Sequence, residues 1–531
     1  MTDVDVLVIG AGVSGSVVTH TLAAAGLSVT CLEQGDWVNS SDFATNLPEW
    51  ELLIQEQWSH DPNVRKLLAD YPLDNSDSDM TPVLYNAVGG SSIYFGAQWP
   101  RLFPSDFRVK TLDGVADDWP ISYRELKPYY DEVDQFIGAA GLDDDPAYPV
   151  GLRYPLPPHP LGKVGRKSAS EANTLGWHWW PGANAIPTNK YKALERCARF
   201  GVCEWGCPQG AKASFDIAYM VHAQKLGANV ITGARVNEIT LDSRGMASGA
   251  TWIDRNLKEH NISAKAVIVC ANGIGTARLL LLSKSSQFPD GLANSSGLVG
   301  KNLMLHPTNG VVGFYDEDLQ SNLGPAGQPV VSFEFYETDE SRGFARGAKL
   351  QAMPTPGPLN AIEYHRGLEY ENLWGANSHK IARRAQNGIL WSSVTEDLPR
   401  EENSVTLSDV EMDDSGIPAA KVNYRITDDN RNRLNFMIER MQELHNAGGA
   451  VETFVMELWI DQPGHLLGTA RMGTASDKSV TDPWGRAHDV PNLFIADGSL
   501  FVTSGGVNPT STISALALRV AKGILENGLN R

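Results

Sequence analysis

Long apolar runs are missing from this sequence: nowhere do the roughly 18 consecutive apolar residues of a membrane-spanning helix occur. Basic charge is scarce too, with 44 Lys and Arg against 63 Asp and Glu, a formal net charge of −19. Such a surface repels phosphate backbones and anionic lipid, which argues against nucleic-acid and membrane partners and leaves a neutral small molecule open. No basic leader with a small-residue cleavage site is seen. Met1-Thr2-Asp3 passes directly into an apolar run, and the expected address is the cytoplasm. Five cysteines in 531 residues make no disulfide framework. Cys197, Cys203 and Cys207 cluster, but zinc wants a fourth ligand and tighter pairs, so they read as buried or partly buried thiols rather than a metal site. Cys31 and Cys270 fall in apolar, strand-like runs and read as core. Internal repeats and low-complexity tracts are also lacking.

Glycine, by contrast, is abundant at 50 residues, and its placement is informative. Residues 4–9 form the short, branched apolar run of a buried parallel strand. Gly10-Ala11-Gly12-Val13-Ser14-Gly15 follows; residues 17–25 read as a helix closed by Gly26, and residues 28–32 as a second strand ended by Glu33. This is a β-α-β unit with dinucleotide spacing. Gly10 serves the turn, Gly12 the close approach of backbone to a pyrophosphate, and Gly15 the packing of helix on strand. The helix start offers unpaired N–H groups to the phosphates, and Glu33 would accept from the ribose hydroxyls. The spacing alone does not separate FAD from NAD.

The last seventy or so residues carry the candidate chemistry: Gly464-His465-Leu466, then Ala496-Asp497-Gly498, then Gly505-Gly506-Val507-Asn508-Pro509. An acid at a late strand end suits the ribityl chain of a flavin, and Gly498 lets the helix start that follows face the cofactor. FAD is therefore favoured.

Between the two ends, residues 38–80 are polar and read as a long excursion, and Gly89-Gly90-Ser91-Ser92 would let backbone approach a ligand closely. Residues 120–138 are helical in pattern, and 142–165 form a Pro- and Asp-rich connection. Residues 229–233, 235–241 and 247–253 alternate as strands; 265–271 is a buried strand leading through Asn272-Gly273-Ile274-Gly275-Thr276 into a helix at 277–283. Strand-like alternation broken by Gly and Pro occupies 310–425, and an amphipathic helix 431–447. Residues 492–496 read as a final strand and 512–525 as a final helix. The expected fold is α/β with an α+β second domain. A Rossmann-type FAD-binding domain is assembled from discontinuous segments (1–45, 81–115, 205–310 and 461–531). A substrate domain (116–204 and 311–460) has a mostly antiparallel sheet and helices, and 46–80 is an excursion or an oligomer contact.

These blocks together resemble the glucose-methanol-choline (GMC) oxidoreductase family over nearly the whole chain. The resemblance rests on the first glycine loop with Glu33, on Gly89-Gly90-Ser91-Ser92, and on 271–276. It rests most on the His465 segment and on Asp497-Gly498 through Asn508-Pro509-Thr510. It implies an FAD enzyme that oxidises an alcohol, with hydride passing to flavin N5. Gly10, Gly12, Gly15, Glu33, Gly89, Gly90, Ser91, Ser92, Val236 (beside the adenine), Asp497, Gly498, Asn508, Pro509 and Thr510 are the implied cofactor contacts. Cys203-Glu204-Trp205-Gly206-Cys207-Pro208 and residues 464–473 look like the branch that oxidises sugars, which includes pyranose oxidases and glycoside 3-oxidases. That branch pairs a histidine with an asparagine, here His465 and Asn508. Fungal pyranose 2-oxidases tether their flavin through a histidine in the loop matching 89–95. This chain has Tyr94 there, so non-covalent FAD is expected.

The expected reaction oxidises a secondary hydroxyl of a sugar or glycoside, at pyranose carbon 2 or 3, with oxygen or a quinone or carrier protein as electron acceptor. A histidine near its ordinary pKa of about 6.5 can take the hydroxyl proton, making His465 the candidate base, and Asn508 can orient the developing alkoxide. His465 could instead be structural, Asn508 could cap the last helix, and His306 is the chief competing histidine. Trp177, Trp179 and Trp180 with His178 would stack on a sugar or serve as core. Two other functions remain open: a flavin subunit of a partner-dependent sugar-acid or polyol dehydrogenase, and a non-redox FAD lyase.

Overall fold

The computed structural model describes residues 3–325, 327–355, 357–366, 374–461 and 463–529. The first apolar run becomes a central strand, Val4–Ile9, with Val6, Leu7 and Val8 fully buried. It is flanked in parallel by Val29–Leu32 and by Glu259–Val269, and Asn229–Ile231 extends the sheet beyond Val29–Leu32. Glu259–Val269 works as two strands in one. Its first half runs antiparallel to Ala247–Ile253, which pairs with Arg235–Leu241; its second half also takes Leu493–Ile495 in parallel. Strands buried on both faces need apolar side chains at every position, which is why residues 6–9 and 266–269 read as unbroken runs. Helices Val13–Ala24 and Thr510–Asn527 pack together, bringing the two ends of the chain into one Rossmann-type layer.

Two helix starts lie four or more residues ahead of the sequence expectation. Val13–Ala24 begins four residues early because the glycine loop supplies its first turn. Asn272–Leu282 begins inside the supposed lead-in: Asn272 takes a left-handed φ of 65°, and its Oδ1 accepts from the N–H groups of Ile274 and Gly275, so the residue caps its own helix.

The second layer is a five-stranded antiparallel sheet in the order Glu452–Met456, Thr308–Phe314, Gly388–Thr395, Ala348–Pro354, Val330–Ser332. Side chains alternate across it with period two. Leu350, Ala352, Ile389 and Trp391 pack with Met437, Met441 and Leu444 of helix Asp428–Gly448 and with Val164 and Ala172 of helix Gly162–Leu175. Gln351, Met353 and Leu390 face the other way, toward a cavity. The stretch 310–425 also holds two helices that strand-like alternation did not suggest, Pro358–Arg366 and Ala376–Arg383. The polar excursion contributes a strand, Leu73–Ser78, which joins Pro418–Tyr424 in parallel; its sequence shows no apolar alternation because only Leu73 and Asp74 are buried. Among the described residues no helix is long and apolar enough to cross a membrane. Cys31, Cys203 and Cys270 are buried, and Cys197 and Cys207 half-buried.

Candidate active site

The carboxyl ends of four parallel strands open onto one cavity of about 890 Å³: Gly10 follows the first strand, Glu33 the second, Asn272 the long strand and Asp497 the last. This is the position where α/β sheets bind ligands, because helix starts and free loop backbone converge there. Helix Val13–Ala24 has no side-chain cap and no acid in its first turn, and the same holds for Thr510–Asn527. Both starts therefore keep unpaired N–H groups and a partial positive charge at the cavity.

Glycine is required here by contact. A Cβ on Gly10, at φ 98°, would lie 2.5 Å from the Cys270 carbonyl oxygen, and one on Gly15 would lie 1.8 Å from the Gly10 carbonyl oxygen. A Cβ on Gly90 would lie 2.8 Å from the Gly12 Cα, so the two glycine loops touch backbone to backbone. Ser92 Oγ donates to the Gly89 carbonyl (2.6 Å) and accepts from Phe215 N–H (2.9 Å), and Ser91 Oγ accepts from Tyr85 N–H. Glu33 is buried. Its carboxylate accepts from the N–H groups of Ala11 and Gly35, while burial raises its pKa to about 7. Asp497 accepts from Thr276 Oγ1 (2.5 Å) and from Ser499 N–H (2.9 Å).

Of the residues singled out in the sequence, Gly10, Gly12, Glu33, Gly90, Ser91, Ser92, Val236, His465, Asp497, Gly498, Asn508, Pro509 and Thr510 all line this cavity. Gly15 and Gly89 stand behind it, Gly15 against Gly10 and Gly89 donating its N–H to the Ala11 carbonyl. The tryptophan cluster lies elsewhere: Trp177 and Trp179 pack on the core of the five-stranded sheet, and Trp180 bridges to Val331. Tyr94 lines the cavity and stacks on His60, with ring centroids 4.8 Å apart. The cavity thus offers helix starts, glycine backbone and a strand-end acid over the length that a dinucleotide needs, and these residues fit FAD.

His465, also on the cavity lining, is carried by a segment laid over two glycines. A Cβ on Gly273 or on Gly498 would each meet the Leu466 carbonyl oxygen at 2.6 Å. A two-way backbone pair between Met304 and Leu467 then holds the Leu305-His306-Pro307 segment alongside. His306 is 1% exposed and sits at a left-handed φ of 52°. Its Nε2 is 2.6 Å from the Gly505 carbonyl oxygen, and its Nδ1 is 2.9 Å from His465 Nδ1. A carbonyl only accepts, so Nε2 of His306 carries the proton and Nδ1 is its lone pair. His465 must then donate from Nδ1, which leaves Nε2 of His465 unprotonated on a ring that lines the cavity. Burial first, and then the nearness of His306 and Lys349, holds the His465 pKa well below the ordinary histidine value and keeps the ring neutral.

Asn508 faces the same space. Its Oδ1 is taken by Nζ of Lys349, a buried lysine on strand Ala348–Pro354, and this directs its amide nitrogen to the cavity side. Neither the His306 bond nor Lys349 was foreseen from sequence. Gln98, Gln351, Met353, Leu390, Phe454, Met456 and Trp459 also line this cavity.

The chain belongs to the GMC oxidoreductase family: the family's amino-terminal profile matches residues 4–308 and its carboxyl-terminal profile residues 399–517. It is an FAD-dependent alcohol oxidoreductase. It is similar to 2-methyl-1,2-propanediol dehydrogenase of Mycolicibacterium austroafricanum, 44% identical over 97% of this chain and 94% of that one. It is also similar to the fructose dehydrogenase large subunit of Gluconobacter japonicus, 30% identical over 98% of each chain. The crystal structure of pyridoxine 4-oxidase from Mesorbium loti shares the fold, with a TM-score of 0.66, 16% identity and 99% of each chain covered.

Proposed function

We propose that the protein oxidises a compact alcohol, with a vicinal diol or short polyol as the substrate class. His465 takes the hydroxyl proton on Nε2, and Asn508 donates an amide N–H to the same oxygen. The observation that carries this reading is the fixed tautomer of His465 on the lining of the cavity that the glycine loop also borders. Bound FAD supplies the two-electron acceptor that takes the hydrogen from carbon. Gly10, Gly12, Glu33, Gly90 and the starts of the first and last helices would hold it, without a covalent bond. In support of non-covalent binding, Tyr94 occupies the loop position expected for a tether, and the nearby His60 has its Nε2 engaged by the Glu204 carbonyl at 2.9 Å.

Two observations favour a compact substrate. The cavity lining includes Met353, Leu390, Phe454, Met456 and Trp459 beside two amides, Gln98 and Gln351. A sugar ring bearing several hydroxyls would leave polar groups unpaired there. A relative sharing 44% of its residues is a 2-methyl-1,2-propanediol dehydrogenase. The sugar reading, oxidation at pyranose carbon 2 or 3, stands second; it is favoured by the cavity's volume of about 890 Å³ and by the fructose dehydrogenase relative. That relative is a large subunit, which supports a quinone or carrier protein rather than oxygen as electron acceptor.

The test is anaerobic mixing of FAD-loaded protein with branched 1,2-diols, glycerol, fructose, glucose and methyl glycosides, followed by oxygen or a quinone. Bleaching of the yellow band by diols ahead of sugars is expected, as is a His465→Ala variant that stays yellow but reduces about 100-fold or more slowly. A band that no alcohol bleaches, or a His465→Ala variant with the unmodified rate, would sink the reading. Acid precipitation that leaves the yellow colour in the pellet would refute non-covalent binding.

A further inference from the structure

Lys349 is fully buried near the start of strand Ala348–Pro354, on the face that carries Gln351 and Met353 to the cavity wall. Among the described residues no carboxylate pairs with it. Its Nζ instead meets three amide oxygens: Gln328 Oε1 at 2.7 Å, Gln351 Oε1 at 2.6 Å, and Asn508 Oδ1. Other contacts fix the amides that present them. Gln328 donates its Nε2 to the Ala183 carbonyl (2.7 Å), and Gln351 donates its Nε2 to Ser392 Oγ (3.0 Å), so both turn oxygen toward the lysine. A neutral amine has two hydrogens and a lone pair and would leave one of three oxygens facing that lone pair. Three acceptors match the three N–H groups of an ammonium.

We propose that Lys349 is a positioning residue of the alcohol site: by holding Asn508 Oδ1 it turns the amide N–H groups toward the substrate oxygen and places a buried positive charge behind them. This rests on the alcohol-oxidising reading of His465 and Asn508. Burial alone pushes the Lys349 pKa well below the ordinary lysine value; the three acceptor oxygens oppose that push, and the charge they hold is little screened by solvent. A donor whose carbonyl end is bonded to a cation is itself polarised, and its N–H becomes the stronger for it. In the proton transfer the hydroxyl proton moves from the substrate oxygen to His465 Nε2, Lys349 keeps all three of its own, and negative charge develops on the oxygen beside Asn508. The titratable groups coupled to Lys349 are His306 and His465, and its charge opposes protonation of both in the resting site. The lysine therefore helps keep the base neutral beforehand and stabilises the alkoxide as it forms.

The test compares the FAD-loaded protein with Lys349→Met, of similar length and uncharged, and Lys349→Arg, which retains the charge. Acetate serves as an anionic probe of the alcohol-oxygen position, with its Kd read from the change it causes in the flavin absorption spectrum. Flavin reduction by a 1,2-diol is followed in parallel. Lys349→Met is expected to weaken acetate binding at least about tenfold and to slow flavin reduction about 10- to 100-fold, below the effect of deleting an oxyanion donor outright. Lys349→Arg should recover acetate binding to within a few-fold of the unmodified protein. Equal acetate affinity in the unmodified and Lys349→Met proteins would overturn the proposal, as would no acetate binding by the unmodified protein. Loss of folded, yellow protein in both variants would also overturn it by assigning the lysine to stability alone. If acetate binding depends on Lys349 while no alcohol bleaches the flavin, the function reading fails and the placement of the charge stands.

Discussion

Substituting leucine for His306 is expected to leave the protein folded and yellow but to slow flavin reduction. The His306–His465 contact is a 2.9 Å N–H···N bond between a ring that is 1% exposed and one that lines the cavity. Leucine removes the acceptor and orphans the Nδ1–H of His465, at about 1–3 kcal/mol for a buried donor. The ring can then relax by moving its proton to Nε2, and in that tautomer it has no lone pair to offer the alcohol. If the whole penalty falls on the reactive arrangement, the rate drops about 5- to 150-fold. His306→Asn is the informative companion, because its Oδ1 lies near the position of the lost Nδ1 and restores an acceptor without restoring the bond to Gly505. Stopped-flow reduction at saturating alcohol, with circular dichroism and flavin content as folding controls, should rank unmodified protein, His306→Asn, His306→Leu in falling order. A His306→Leu protein that reduces at the unmodified rate would refute the tautomer argument, and so would an Asn variant no faster than the Leu one.

Further outcomes follow from the same geometry. Because the His465 pKa lies well below its ordinary value, the base stays neutral on mild acidification, and the acid limb of the kcat/KM profile should fall below about pH 6.5. A limb at or above that value would contradict the burial argument. His306, pushed down to about 4, has the matching stability sign: the unfolded chain protonates this histidine near pH 6.5 and the folded one does not, so its contribution is present above about 6.5 and lost as pH falls through 4. The drop in Tm between neutral and mildly acid buffer should therefore be smaller in His306→Leu than in the unmodified protein. Gly15→Ala would place a methyl 1.8 Å from the Gly10 carbonyl oxygen and is expected to yield protein without yellow colour; normal flavin content would refute the packing argument. Phe454→Ala opens the apolar wall and should raise KM for a branched diol about tenfold while changing that for glycerol little, a split that steady-state kinetics reads directly.

Much of this protein is written in local pattern. An unbroken apolar run, a glycine triplet and a strand-end acid report a buried parallel strand and a nucleotide turn, because backbone geometry at those positions depends on near neighbours alone. Gly10, Gly12 and Glu33 were legible for that reason, and the ordered blocks made His465 and Asn508 candidates. Only the tertiary structure decided what those two residues touch. His306 reaches His465, and Lys349 reaches Asn508, each across 159 positions of chain. Periodicity tells which face of a strand a side chain takes. It does not tell which remote loop will cover that face, so Lys349 read as one more lysine among strand residues. The proton on a histidine and the direction of an amide are set by the partner opposite, and the partner is chosen by packing.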